Sequence, residues 1–374
     1  MIQFIDLAAQ QECIRDRIQS RMNGVLSHGQ YIMGPEVCEL EEQLASYVCT
    51  KHCVTCSSGT DALLMVLMAY GVEPGDAILT TPFTFIATVE VIQLLGARPI
   101  FVDIDPRTFN LDPGKLDRAI RKVQNGNQFK TKGILPVDLF GLPANYSEIK
   151  AVAAEHGLWV LEDGAQSFGG SINGQKACSY GNAAATSFFP AKPLGCYGDG
   201  GAIFTNDDSL ADIVTSIRMH GKGENKYDNV RIGLNGRLDT LQAAVLLEKL
   251  MIIDEEREKK NIVADRYEEL LHGVIVTPFI PEGFMSAWAY YSVLAESEQQ
   301  RDQVMRRLNE RGIPTVVYYP NPLHLQTVSS HLGYKLGDFP LAEDISRRVL
   351  SLPMHAYLDD EDLVRITDVV KEII

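Results

Sequence analysis

The stretch "SFFPAKPLGCYGDGGAIFTND", Ser187 to Asp207, sets a single amine, Lys192, between a strand-like run and a cluster of glycines. Three kinds of chemistry are open to such a lysine: a solvated surface charge, a phosphate clamp, or an amine that traps a carbonyl as a Schiff base. A phosphate clamp needs G-x-x-x-x-G-K-[ST] between strand and helix. That string does not occur, and "GGAIFTN" reads as another strand. A Schiff-base lysine needs partners elsewhere in the chain. "SSGTDALLMVL" puts Ser58, Gly59 and Thr60 ahead of an apolar helical run, where free N–H groups can meet an anion, or where the helix is merely capped. "VLEDGAQSFGG" sets Asp163 at a strand end with Gln166 three residues on, and a buried carboxylate there could keep a pyridinium nitrogen protonated. "TPFTFIATVEV" offers Phe85, either a ring to stack on a cofactor or plain core.

Elements that could hold these residues together are visible in the pattern. Between about 60 and 205, apolar runs ("AILTTPF", "RPIFVDID", "GILPVDLFG", "LWVLEDGA", "AATSFFP", "GAIFTN") alternate with helical segments. The pattern predicts an α/β fold with a mainly parallel sheet flanked by helices. Ligands of open α/β sheets sit at the carboxyl ends of strands, so Thr84, Asp103, Asp138, Asp163 and Ser187 are candidate site positions. Residues 208–262 read as helices, with one long helix in "LDTLQAAVLLEKLMIIDEEREKKNIVADRYEELL". Beyond it, the runs "AWAYYSVLA", "TVVYYP" and "VLSLPM" read as strands between the helices "QQRDQVMRRLNERG" and "DEDLVRITDVVKEI", a smaller C-terminal α/β domain. The expected division is a large domain over 1–250, including the N-terminal segment, and a small one over 251–374.

Composition narrows the partners. A chain of 374 residues with 45% hydrophobic and 22% charged residues has the make-up of a globular protein. Lys+Arg 34 against Asp+Glu 49 leaves a net charge of -15, which repels nucleic acid and anionic membrane surfaces. The longest apolar run, "ALLMVLMAYGV", is about half the ~20 residues of a membrane helix. The N-terminus lacks a basic start and apolar core, and the seven cysteines are odd in number and scattered, so the expectation is a cytoplasmic protein with reduced thiols. "CVTC", Cys53 to Cys56, is half of a zinc spacing with no second half, so no metal is expected.

The order of the parts is more informative than any one of them. A helix start suited to phosphate, an aromatic, Asp-x-x-Gln and Ser-x-x-x-x-Lys follow one another along one sheet domain. The chain resembles the DegT/DnrJ sugar aminotransferases, fold-type I enzymes that use pyridoxal phosphate (PLP). The resemblance runs from "FIDLAAQQ" and "GQYIMGPEVCELEEQLASY" through "GARPIFVDIDPRTFNLDP" and "LPVDLFGLPAN" to "GLNGRLDTLQAAVL". It implies that Lys192 is the Schiff-base lysine and proton shuttle, and that Asp163 is the pyridinium partner. It further implies that Gln166 meets the ring hydroxyl and Phe85 stacks on the ring. Gly59, Thr60 and Ser187 would hold the phosphate, joined by Asn235 from a second subunit of a homodimer with shared sites. Glutamate would donate the amino group, leaving pyridoxamine phosphate and 2-oxoglutarate, and a keto sugar nucleotide would accept it.

Within the family, the loop after Lys192 resembles the branch that aminates carbon 3 of the sugar; the carbon-4 branch carries loops like "TTGEGG". The nearest likeness is to enzymes for the UDP-linked 3-keto derivative of N-acetylglucosaminuronic acid, in amino sugar biosynthesis for surface polysaccharide such as O-antigen. A uronate adds a carboxylate that Arg237 could pair, unless Arg237 is tied to Asp239 or to solvent. Tyr318 and Tyr319 would face the sugar, although Tyr318 departs from the histidine of the uronate enzymes. The alternatives are a dTDP-linked 3-keto or 4-keto 6-deoxy sugar, and a PLP-binding regulator without turnover. A dehydratase branch with histidine for the lysine is disfavoured by Lys192. A nicotinamide dehydrogenase is disfavoured because "GDGG" precedes a strand.

Overall fold

A computed structural model describes residues 2–225 and 227–374. Two helices, α1 (Leu7–His28) and α2 (Pro35–Val48), precede β1 (His52–Cys56). Then α3 (Gly59–Ala69), β2 (Asp76–Thr80), α4 (Ala87–Leu94), β3 (Arg98–Phe101), α5 (Pro113–Gly126), β4 (Lys130–Ile134), α6 (Tyr146–His156) and β5 (Trp159–Asp163) alternate. A short hairpin of β6 (Ser171–Ile172) and β7 (Gln175–Lys176) leads into β8 (Ala183–Ser187) and β9 (Gly201–Thr205). Helices α7 (Asp208–Arg218), α8 (Thr240–Leu250) and α9 (Ile253–Leu271) follow. The chain ends with β10 (Phe284–Met285), β11 (Tyr291–Leu294), α10 (Glu298–Glu310), α11 (Pro340–Arg348), β12 (Val349–Leu352) and α12 (Asp360–Lys371).

Seven strands form one sheet in the order β1-β9-β8-β5-β4-β2-β3. The five strands from β3 to β8 are mutually parallel, and β9 runs antiparallel to both of its neighbours. Every residue of β2 and β9 is buried, as expected for strands covered by helices on both faces. The parallel strands therefore end along one edge, which brings Thr80, Ile134, Asp163 and Ser187 to the same side. Each fully buried Leu or Ile in this core contributes about 2 kcal/mol of transfer free energy. Among the described residues no helix is long and apolar enough to cross a membrane.

Three sequence expectations are corrected. The run 315–320 is not a strand: it makes one bridge, Val316 to Ser351, and then turns toward the sheet edge, carrying Tyr318 and Tyr319 with it. Pro314 and Pro320 bound this run, and each lacks the N–H a ladder needs. The single long helix over 238–271 is two, α8 and α9, parted at Met251–Ile252. No Gly or Pro marks that break. It falls where almost fully buried α8 gives way to α9, whose first turn carries Asp254, Glu255 and Glu256. Among the described residues between Met219 and Asp239 the chain is irregular rather than helical. A second core joins α9, α10, α12 and the β11–β12 pair through Tyr267, Val293, Leu308, Leu350 and Ile366, and Ile2 from the N-terminal segment is buried in it.

Candidate functional site

Lys192 sits on a tight loop between β8 and β9. Its N–H donates to the Phe189 carbonyl at 2.9 Å, and the Cys196 N–H donates to the Phe188 carbonyl at 2.8 Å, closing the loop on itself. Gly195 has no room for a side chain, since a Cβ there would lie 2.3 Å from the Pro190 carbonyl. Burial pushes the Lys192 amine down to about 8, and the Asp163 charge opposes that fall. An amine with this proton affinity is in part neutral near pH 7, as a nucleophile or proton carrier must be.

Asp163 ends β5 and is buried. Its Oδ2 accepts from the Thr88 hydroxyl at 2.8 Å and its Oδ1 from the Ala165 N–H at 3.3 Å. Burial raises its carboxyl above the usual range, while the Thr88 bond, the Ala165 bond and the Lys192 charge pull it back. A cation beside a buried acid favours its charged form, and a protonated pyridine nitrogen is such a partner. Gln166, also buried, accepts the Phe140 N–H at 2.8 Å and donates from its amide to the Tyr319 hydroxyl at 3.2 Å. Phe85 stands at the mouth with 54% of its surface exposed, its ring 6.2 Å from that of Tyr319. A large aromatic left that open beside buried polar groups suits a flat ligand laid against it.

The opposite end of the site suits an anion. Ser58 caps α3 by accepting the Asp61 N–H at 3.0 Å, so the capped-helix reading is correct as far as it goes. The N–H groups of Gly59 and Thr60 open the helix and have no carbonyl four residues back within it. A Cβ on Gly59 would lie 2.7 Å from that of Ser187, and one on Gly201 would lie 2.5 Å from the Ser58 carbonyl. Those two glycines let the helix start press against the ends of β8 and β9. The result is a cradle of backbone donors and the Ser187 hydroxyl that fits a phosphate.

Asn235 is exposed, on a segment whose Gly236 carbonyl accepts the Ser57 N–H at 3.1 Å. Arg237 lies beside it. It makes no ion pair with Asp239 among the described residues, and its Nε is buried without a partner. Tyr318 packs on Tyr290, ring centroids 4.2 Å apart.

Two of the strand-end acids do other work. Asp103 accepts the N–H groups of Leu341 and Ala342 and so caps α11. Asp138 is sealed away: it accepts from Ser167 Oγ at 2.6 Å and from the Tyr146 hydroxyl and Ala144 N–H at 2.8 Å, and burial pushes its carboxyl and that of neighbouring Glu162 up. Thr88, which orients Asp163, was not singled out from the sequence. Its signal was faint: one turn of helix after Phe85, at the start of α4.

Against known proteins, the model of the DegT/DnrJ/EryC1/StrS aminotransferase family matches residues 12–371. The chain is 49% identical over 360 residues, 96% of each chain, to UDP-2-acetamido-2-deoxy-3-oxo-D-glucuronate aminotransferase of Pseudomonas aeruginosa. It is 41% identical over 375 residues, 99% of this chain and 98% of the relative, to a protein of Geobacillus stearothermophilus named pleiotropic regulatory protein. Among solved structures, a DegT DnrJ EryC1 StrS aminotransferase from Brucella abortus superposes with a TM-score of 0.96 at 48% identity, covering 100% of this chain and 99% of that one.

Proposed function

We propose, for a chain that belongs to the DegT/DnrJ/EryC1/StrS aminotransferase family, that Lys192 carries the amino-group chemistry and that the acceptor is a UDP-linked 3-keto sugar uronate. Its reaction class follows from membership: the protein is a PLP-dependent aminotransferase acting on nucleotide sugars in amino sugar biosynthesis. In this reading Asp163 meets the ring nitrogen, Gln166 the ring hydroxyl and Phe85 the ring face, while Gly59, Thr60 and Ser187 hold the phosphate. Bound there, the cofactor supplies an electron sink for the carbon that loses its proton. Lys192 takes and returns that proton, and Asp163, held by Thr88, keeps a charge opposite the ring nitrogen. Glutamate is the proposed donor. Asn235 and Arg237 would serve the site of a second subunit, in a cytoplasmic homodimer whose large and small domains divide at 250/251. The product would go to surface polysaccharide such as O-antigen.

The observation that carries the substrate choice is Arg237, a half-buried cation with an unpartnered Nε. An unspent guanidinium fork suits a carboxylate. The test compares the 3-keto uronate with its 6-deoxy counterpart in wild type and in Arg237→Ala. Wild type should prefer the uronate, and the variant should lose about 1.5–3 kcal/mol of that preference, the size of a charged hydrogen bond. Faster turnover of a 4-keto 6-deoxy sugar by wild type would overturn the substrate choice and leave the reaction class standing. The regulator reading has a relative's name behind it, and a turnover assay with a panel of keto sugar nucleotides separates it from the enzyme.

A further inference from the structure

Against the lysine loop lies a cavity of about 30 Å³. Gln10 of α1, residues 191–193 of the loop, Glu256 of α9, and His355 and Tyr357 of the turn before α12 contribute to its wall. Five separate stretches of the chain, Ala289 supplying the fifth, thus meet around it. Glu256 is satisfied there, accepting from Gln10 Nε2 at 2.7 Å and from the Tyr357 hydroxyl at 2.6 Å. Other groups are not. Gln10 Oε1 and both ring nitrogens of His355 are buried without a hydrogen-bond partner, and His355 is only 6% exposed. The backbone of Gln3 lies near the ring without completing a hydrogen bond. Among the described residues, nothing donates to the carbonyls of Ala191, Lys192 or Pro193.

A neutral imidazole has one donor and one acceptor to place, and a glutamine oxygen accepts two hydrogen bonds. Buried groups of this kind are almost always satisfied, by water where protein does not reach. A space of about 30 Å³ admits about two waters, and each needs two to four polar partners. His355, Gln10 and the loop carbonyls supply that number. We propose that the cavity holds ordered water linking His355 and Gln10 to the 191–193 backbone, and that His355 is thereby a positioning residue for Lys192. The loop closes on itself through its N–H groups but leaves the carbonyls of residues 191–193 free among the described residues, so water bound to them adds a tie to the backbone from which the Lys192 side chain departs. This deepens the reading of Lys192 given above, but its structural arm does not depend on that reading.

The test uses the holoenzyme in wild type, His355→Phe, His355→Gln and Gln10→Leu. A crystal structure of wild type fine enough to place water should show at least one molecule within hydrogen-bond reach of both the His355 ring and a carbonyl of residues 191–193. Amide exchange at Lys192 should quicken about tenfold in His355→Phe, the rate following local opening. The same change should lower kcat about tenfold with little change in KM for the nucleotide sugar, since a displaced catalytic group costs rate before binding. His355→Gln, which keeps a donor and an acceptor, should restore most of both. If His355→Phe does not fold, Gln10→Leu carries the test with a smaller change in the same direction. A dry cavity, water that does not reach the loop, or wild-type exchange at Lys192 in both His355→Phe and Gln10→Leu overturns the proposal. Exchange that responds as expected in a protein where Lys192→Ala still turns over would uphold the water link and remove the catalytic reading of Lys192.

Discussion

Two lysines meet at the same loop, Lys192 within it and Lys249 against its Tyr197, and they differ in what their surroundings permit. Lys192 and Lys249 are both pushed down to about 8 by burial. Lys192 lies at the strand-end edge, where Asp163 counters part of that fall. Lys249, on α8, is 2% exposed, and its Nζ lies 4.5 Å from the ring centroid of Tyr197 without a hydrogen bond. In the proposed reading of Lys192, depressed basicity is therefore not a signature of catalysis by itself. What separates the two amines is an opening to ligand and an oriented acid. The largest expected contrast tests this directly: Lys192→Ala should lose amino transfer by more than about a thousandfold, whereas Lys249→Met should stay within about threefold of wild type in kcat. Equal losses in the two variants would erase the distinction.

Removing the oriented acid sharpens the comparison. Asp163→Asn should still bind PLP yet turn over about 100-fold more slowly, roughly 3 kcal/mol of barrier, because a neutral amide cannot hold the ring nitrogen charged. Rates near wild type would make Asp163 a strand-end cap.

The sealed lysine should show itself in stability instead. An amine at about 8 in the fold and 10.5 in the unfolded chain leaves the unfolded state holding more protons between those values, so stability rises with pH across that window and is lost as pH falls through it. Lys249→Met should flatten the rise and stabilise the protein near pH 7 by on the order of 1–3 kcal/mol, read as urea unfolding at pH 7.5 and 10. An unchanged pH slope would mean that Lys249 reaches solvent.

A last and smaller effect separates the two by access. In the apoprotein, acylation of Lys192 should show a midpoint near pH 8, and Asp163→Asn should move it lower, since the Asp163 charge raises it. Lys249 should stay unmodified until the protein unfolds. A midpoint unmoved in Asp163→Asn would show that the acid and the amine do not sense each other.

Much of the candidate site was legible from residue types and spacing because its parts are local. Ser58-Gly59-Thr60, Asp163 with Gln166, and Ser187 with Lys192 are each a short run at a strand or helix end, and the β/α alternation puts such ends on one edge. The long-range choices were not legible. Asp163 stood apart by its spacing to Gln166, but nothing local told that Asp103 caps α11 or that Asp138 is sealed beside Glu162. Glu162 and Asp163 are neighbours in sequence and point to opposite faces of β5, as alternation along a strand requires.

Sequence by itself determined the fold class, the β/α alternation of the large sheet, and the short motifs that set each candidate site residue at the end of its element. It also carried the resemblance that the family comparison confirmed. Only the tertiary structure decided what Asp103 and Asp138 do instead, that Thr88 orients Asp163, that residues 315–320 bring Tyr319 onto Gln166, and that Ile2 packs with the C-terminal core. The reason is physical: local pattern reports how a residue sits on its own strand or helix, whereas burial and proton affinity depend on what distant segments lay over it.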